Sequence, residues 1–292
     1  VWTLLAGARL DHHDSHGWIF APRLNVKHNL NEFTALRLNV GNGFRVVNLF
    51  TEDHAALTGS RQVLIAEDLR PEESWNINLN FNQVYSTRRM GYGTFDLDVF
   101  HTWFANKIVP DYEVDPNLIV YANLSGNGIS RGFAFNINHT FNKQWDILTG
   151  MTFLDVYETL EEDAQLVREP QPLSPNWSGN TKVTWNSPNK NWNVNYVASI
   201  TGPMNLPTYE GEFAREEVSP VFSLHHLRVQ RVGEFDLFAG VKNIFNYTQD
   251  SPLIDPLNPF GSNFDTSYAY GPLQTRRFVL GFNWTLGQTE KK

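Results

Sequence analysis

The sequence predicts an all-β protein whose strands build an antiparallel transmembrane β-barrel. Three observations lead there. Apolar and polar residues alternate with period two along most of the chain, as in strands with two unlike faces. The connections between strands alternate strictly in length, long then short. Outer-membrane barrels have that pattern, with short periplasmic turns and long extracellular loops. Finally, the 292 residues include 9 Trp, 10 Tyr and 21 Phe, yet only 18% are charged. The polar face carries Asn, Thr, Ser and Gly more than Lys and Glu, which suits a wet lumen better than the charged surface of a soluble sheet.

Composition excludes other classes. With no Cys, disulfide scaffolds, cysteine metal sites and thiol catalysis are out. Lys plus Arg is 23 against 31 for Asp plus Glu, a net charge of −8, so no basic surplus exists to neutralise phosphates and no nucleic-acid partner is expected. No stretch approaches the ~20 apolar residues of a spanning helix. The mean hydropathy of −0.37 is then the average of a lipid face and a water face.

About twelve strand segments are expected: 2–13, 18–30, 34–46, 73–87, 93–107, 118–124 continuing through 129–142, 145–159, 177–187, 191–203, 220–232, 235–248 and 274–286. Leu36, Leu38 and Val40 alternate with Arg37, Asn39 and Gly41. Trp75, Ile77, Leu79 and Phe81 alternate with four Asn, from Asn76 to Asn82. Phe133, Phe135, Ile137 and Phe141 face away from Ala134, Asn136, Asn138 and Thr140. Trp192, Val194 and Tyr196 alternate with Asn193, Asn195 and Val197, and Phe278 to Leu286 closes the series. Several segments reach the ~9–11 residues that a tilted spanning strand needs. Trp18, Phe20, Trp145, Trp177, Trp185, Trp192 and Trp284 sit near strand ends, where barrels carry aromatic girdles. Loop parity makes the first strand run outward and places the end of the chain on the periplasmic side. A soluble propeller or β-helix would need a fixed-period repeat, and none is visible.

Specific motifs add a family. Ala21-Pro22-Arg23, then Gly41-Asn42-Gly43-Phe44-Arg45, resemble the mid-barrel signature of TonB-dependent outer-membrane receptors, with Val46-Val47 departing from the family's following Ala-Pro. Asn123 through Gly132-Phe133 is similar to the family's Asn and Gly opening a long strand. Gly240-Val241-Lys242-Asn243-Ile244-Phe245-Asn246 resembles the penultimate strand, and Arg276 to Leu286 the closing strand, although the family prefers a terminal aromatic there. Asn263-Phe264-Asp265-Thr266-Ser267-Tyr268 has the flavour of Bacteroidota receptors. The resemblance implies a barrel of about 22 strands around a plug domain. A chain that begins inside a strand at Val1 is then expected to be one barrel domain, residues 1–292, forming the C-terminal portion, with the plug absent. It implies TonB-driven import, across the bacterial outer membrane, of a scarce bulky nutrient: a ferric siderophore first, otherwise another metal complex, cobalamin or a glycan. The partners implied are the plug, the TonB complex, a small-molecule or metal-chelate ligand, and outer-membrane lipid with lipopolysaccharide. No cofactor is implied. The alternative is a complete small 12-stranded barrel, a porin or a lipase-like enzyme.

Candidate binding residues follow. Phe260, Phe264, Tyr268 and Tyr270 lie in a long outer loop where aromatics could stack on a catecholate, porphyrin or sugar; the plainer reading is self-packing of a loop stiffened by Pro252, Pro256, Pro259 and Pro272. Arg9, Arg23, Arg37 and Arg228 are expected on inward faces, meeting the plug or balancing Asp96 and Asp98, and Arg37 and Arg45 are candidate substrate-binding residues. His12, His13 and His16, between Asp11 and Asp14, are weak candidates for a metal, against a plain polar hairpin tip. The acidic outer groups Glu158, Glu161, Glu162, Asp163 and Glu169, and Glu52, Asp53, Glu67, Asp68, Glu72 and Glu73, could attract cations or simply be solvated. His225 and His226 stand among many Ser, but no sequence context singles out a catalytic triad. The chain reads as a transporter and not as an enzyme.

Overall fold

The computed structural model describes residues 1–47, 62–111, 118–162, 165–233, 235–261 and 263–284. Twelve strands follow one another in a single antiparallel path: β1 (Trp2–His13), β2 (Gly17–Asn29), β3 (Thr34–Arg45), β5 (Glu72–Thr87), β6 (Gly91–Asn106), β9 (Asn127–Phe141), β10 (Trp145–Glu162), β12 (Trp177–Asn186), β13 (Trp192–Thr201), β14 (Phe222–Arg231), β15 (Phe235–Lys242) and β16 (Arg277–Trp284). The sheet begins at β1 and ends at β16 without closing on itself among the described residues. Four short strands lie outside this path: β4 (Gln62–Ile65), β7 (Ile108–Asp111), β8 (Leu118–Asn123) and β11 (Gln165–Pro170).

Register carries the two faces across the whole sheet. Leu38 opposes Leu79, Leu79 opposes Val99, Val99 opposes Phe133 and Phe133 opposes Phe153, so one apolar row crosses five strands. Asn39, Asn78 and Phe100, or Arg37, Asn80 and Asp98, form rows on the other face. Trp75, Ile77, Leu79, Val99 and Trp103 are all exposed on the apolar face. An exposed apolar surface that continuous belongs against lipid. The buried clusters accordingly lie in the outer connections and not beneath the sheet: Ile254, the most buried large side chain at 1% exposure, is in the last of them.

Turn chemistry sets the short ends. Asn142 and Lys143 both take positive φ, 50° and 56°, the signs of a type I′ turn, closed by Gln144 N on the Phe141 carbonyl at 3.1 Å. Aromatic pairs mark the same end: Trp145 with Trp185 at 6.3 Å and Phe235 stacked on Trp284 at 5.4 Å.

The expected segment 118–124 through 129–142 is two elements. β8 leaves the wall to join β4 in parallel and β7 antiparallel, and the chain re-enters the wall at Gly126. There a Cβ would stand 1.6 Å from the Thr159 carbonyl oxygen, so only glycine allows the approach. The expected strand 235–248 stops at Lys242. Asn243 turns the chain with φ 53°, and its side chain donates to the Tyr247 carbonyl at 2.6 Å and the Gln274 carbonyl at 3.1 Å while accepting from Tyr247 N at 3.0 Å. The region after Leu160, expected to be loop, continues as the β10–β11 hairpin above the sheet.

Candidate functional site

The wall facing the lumen is built first. On β3, β5 and β6 the inward residues are linked across strands: Arg37 Nη1 donates to Asn80 Oδ1 at 2.8 Å, and Asn80 Nδ2 to Asp98 Oδ1 at 3.0 Å. Asn82 donates to Asp96 at 2.7 Å, and Asn76 to Thr102 at 2.8 Å. Arg37 therefore reaches Asp98 through an amide, and the wall presents a hydrogen-bonded polar surface with its charges spread out. Arg9, Arg23 and Arg228 lie on this same face by register.

Arg45 sits at the outer end of that face, clamped to Glu72 with Nε and Nη2 each 2.8 Å from Oε2. The other oxygen of Glu72 accepts from the Ile108 amide at 3.1 Å. One carboxylate thus ties the wall to the outer sheet of β4, β8 and β7, whose buried residues are Ile108, Ile119 and Tyr121, with Val47 and Leu69 against them. Asn123 N donates to Glu67 at 2.8 Å, and this backbone hydrogen bond pulls the Glu67 carboxyl below its usual range. Lys107 Nζ pairs with Glu158 and donates to Gln171 at 2.7 Å, so Glu158 is neutralised locally. Glu52, Asp53 and Asp163 lie outside the described residues.

The last two outer connections, 202–221 and 243–276, share a core of Met204, Leu206, Ile254 and Tyr268, with Tyr209, Phe213, Phe222 and Tyr270 packed on it. Tyr268 Oη donates to the Glu216 carbonyl at 2.9 Å and Tyr209 Oη to Asp265 at 3.2 Å. Gln249 Nε2 donates to the Tyr268 carbonyl, and its Oε1 accepts from Tyr270 N and Gly271 N. Burial pushes the phenols of Tyr247, Tyr268 and Tyr270 above their ordinary value. Of the four aromatic candidates, Tyr268 is 5% exposed and holds the loop core, Tyr270 and Phe264 are half-buried, and Phe260 is 95% exposed at the tip. Phe260 lines an open cleft of about 410 Å³ with Asp255, Leu257, Asn258 and Pro259. Gln249 and Asn243 organise these loops from within; the sequence had no signal for Gln249, and Asn243 entered only as part of the penultimate-strand motif.

The hairpin histidines divide. His12 opposes Trp18 on the apolar face, and His13 opposes Gly17 on the other, as neighbours on a strand must. His13 stacks with His16 at 4.8 Å, while His12 meets Trp18 edge-on at 4.9 Å. Among the described residues no group of three or more His, Cys, Asp or Glu is placed to hold a metal ion.

The family model described as TonB dependent receptor-like, beta-barrel, matches residues 1–244.

The chain belongs to the TonB-dependent receptor β-barrel family.

Its location is the bacterial outer membrane. A curated relative, the iron-regulated outer membrane virulence protein of Vibrio cholerae, is 35% identical over 110 residues, which is 37% of this chain and 16% of that protein. Among solved structures, a mutant of the ferric enterobactin receptor PfeA of Pseudomonas aeruginosa aligns with TM-score 0.66 and 16% identity, covering 96% of this chain and 42% of that one. The siderophore receptor PirA of the same organism aligns with TM-score 0.59 and 17% identity, over 85% and 40%. The chain thus spans about two-fifths of the length of these TonB-dependent receptors, and the likeness to them is one of fold.

Proposed function

We propose that this chain supplies part of the wall and of the ligand-capturing mouth of an outer-membrane receptor that imports a ferric siderophore. The import is driven by TonB acting on a plug inside the complete barrel. The observation that carries the reading is the inner wall itself. Arg37 is hydrogen-bonded to Asn80 and Asn80 to Asp98, so a plug or a passing ligand meets charges already engaged by amides and spread along the wall. Such a surface suits a path that must be filled yet must release what it holds. Arg45 belongs to the rim of this path, and Phe260 is the aromatic that the outer loops present to a ligand. Phe264, Tyr268 and Tyr270 contribute by shaping the loop that carries it. The relatives support iron as the cargo class: one is named as iron-regulated and others as siderophore receptors.

The test uses the full-length receptor in an iron-starved strain lacking it. Uptake of radiolabelled iron as a ferric catecholate or hydroxamate chelate should depend on the receptor and collapse when TonB is deleted. Uptake of no iron chelate, with normal amounts of receptor in the membrane, would refute the reading.

A further inference from the structure

On the apolar face of the wall, away from the Arg37 row, three polar side chains are linked in line. Ser223 and His225 lie two apart on β14 and so share a face. Tyr196 on β13 opposes Leu227, and Ala198 opposes His225, which sets the tyrosine diagonally below the imidazole. Tyr196 Oη is 2.6 Å from His225 Nδ1, and His225 Nε2 is 2.9 Å from Ser223 Oγ. With Nδ1–H donating to the tyrosine oxygen, Nε2 is the acceptor for the serine hydroxyl. That is the relation of nucleophile, base and orienting group.

The surroundings fit a lipid-like substrate. The residue opposite His225 is the small Ala198, and Phe245, 68% exposed, meets the imidazole edge-on at 4.7 Å. Ile200 and Leu227, both partly exposed, flank the trio along the face turned to lipid. Ser223 is one pair from Thr201 and Phe222, the outermost pair of the β13–β14 ladder, so the hydroxyl lies near the outer interface, where head groups join acyl chains. Beside it β15 has ended at Lys242, and Ile244 N donates to the His225 carbonyl. Backbone groups of alternate residues share an edge, so the Ser223 N–H points to this same edge, beyond the last β14–β15 pair, where it can meet an oxyanion.

We propose that Ser223, His225 and Tyr196 form a hydrolytic site on the membrane face that cleaves carboxylic esters of acylated amphiphiles in the outer leaflet. Ser223 Oγ attacks the ester carbonyl as its proton passes to His225 Nε2. The C–O bond to the alcohol breaks and the alcohol leaves with that proton. Water then attacks the acyl-serine, giving its proton to His225, and the carboxylic acid departs as the proton returns to Ser223. Ser223 and His225 are the catalytic residues, and Tyr196 is a positioning residue that holds the productive tautomer. This activity is independent of the uptake reading, because the two sites lie on opposite faces.

The experiment uses the full-length receptor purified in detergent micelles, with a medium-chain p-nitrophenyl ester as substrate and a fluorophosphonate as covalent probe. The wild type should release p-nitrophenol, and mass spectrometry should place the phosphonyl group on Ser223. Ser223→Ala and His225→Gln should each lower kcat/KM by about 100-fold or more, with heat-modifiable mobility and iron-chelate uptake retained. Tyr196→Phe should lower kcat and leave KM unchanged. Hydrolysis no faster than that of Ser223→Ala, or no label on Ser223 in a protein that is folded by mobility, would overturn the proposal.

Discussion

Beside Asn106, which donates to Asn123 Oδ1 at 3.4 Å, Glu72 joins the wall to the outer sheet. Its side chain is 11% exposed, whereas that of Arg45 is 59% exposed. Glu72→Ala leaves the buried Ile108 amide without the acceptor it has at 3.1 Å, a loss of about 1–3 kcal/mol. Losing an ion pair whose arginine is largely in water adds at most about 1 kcal/mol. The sum centres on about 2.5 kcal/mol, roughly a 60-fold rise in local opening of the outer sheet. Glu72→Gln keeps an oxygen for Ile108 and should cost about half as much or less. Hydrogen exchange on the full-length receptor in micelles, followed at Ile108 and Tyr121, reads this directly. Unchanged protection in Glu72→Ala, or equal loss in both variants, would refute the argument that one carboxylate latches the two elements.

Other outcomes follow from the same structure. Leu79→Arg, on the apolar face near mid-strand, should destabilise the folded receptor in lipid by about 2–4 kcal/mol, and Asn80→Arg, one residue on, by much less, as read by denaturant unfolding in bilayers. Phe260→Ala should weaken binding of the iron chelate in a titration without moving Tm. Tyr268→Ala should instead loosen the last two loops by about 3 kcal/mol, measured by protease cleavage within 243–276. The raised phenols of Tyr247, Tyr268 and Tyr270 favour the neutral form in the folded loops. Their contribution is full below the ordinary tyrosine value of about 10 and is lost as pH rises towards the folded values. Hydrogen exchange in this loop pair should therefore accelerate in that alkaline range, together with tyrosinate absorbance.

Much of the wall was legible in the sequence because its physics is local. Period two and a hairpin turn place β1, β2 and β3 within one residue of their observed limits. The failures came where extended chain does something other than cross the membrane. β8 and β9 read as one segment because both are extended and only Leu124, Ser125 and Gly126 separate them. Asn243 read as mid-strand because its turn is made by its own side chain. The loop aromatics could not be sorted, since the bond that buries Tyr268 goes to a carbonyl 52 residues away. The Ser223–His225–Tyr196 line has the same character. The serine and first histidine can be read as a pair on one strand, but the tyrosine is 29 residues distant and enters only through the β13–β14 register.

One face of this sheet meets lipid and the other a wet lumen. Single-cysteine spin labels placed in turn at positions 76–82 of β5 in the full-length receptor, reconstituted in bilayers, test it most directly. The account predicts strict alternation: labels at Ile77, Leu79 and Phe81 accessible to oxygen, and labels at Asn76, Asn78, Asn80 and Asn82 shielded from oxygen and reached by a water-soluble relaxant where the lumen admits it. Equal access of the water-soluble relaxant to both sets, with no period of two, would contradict it.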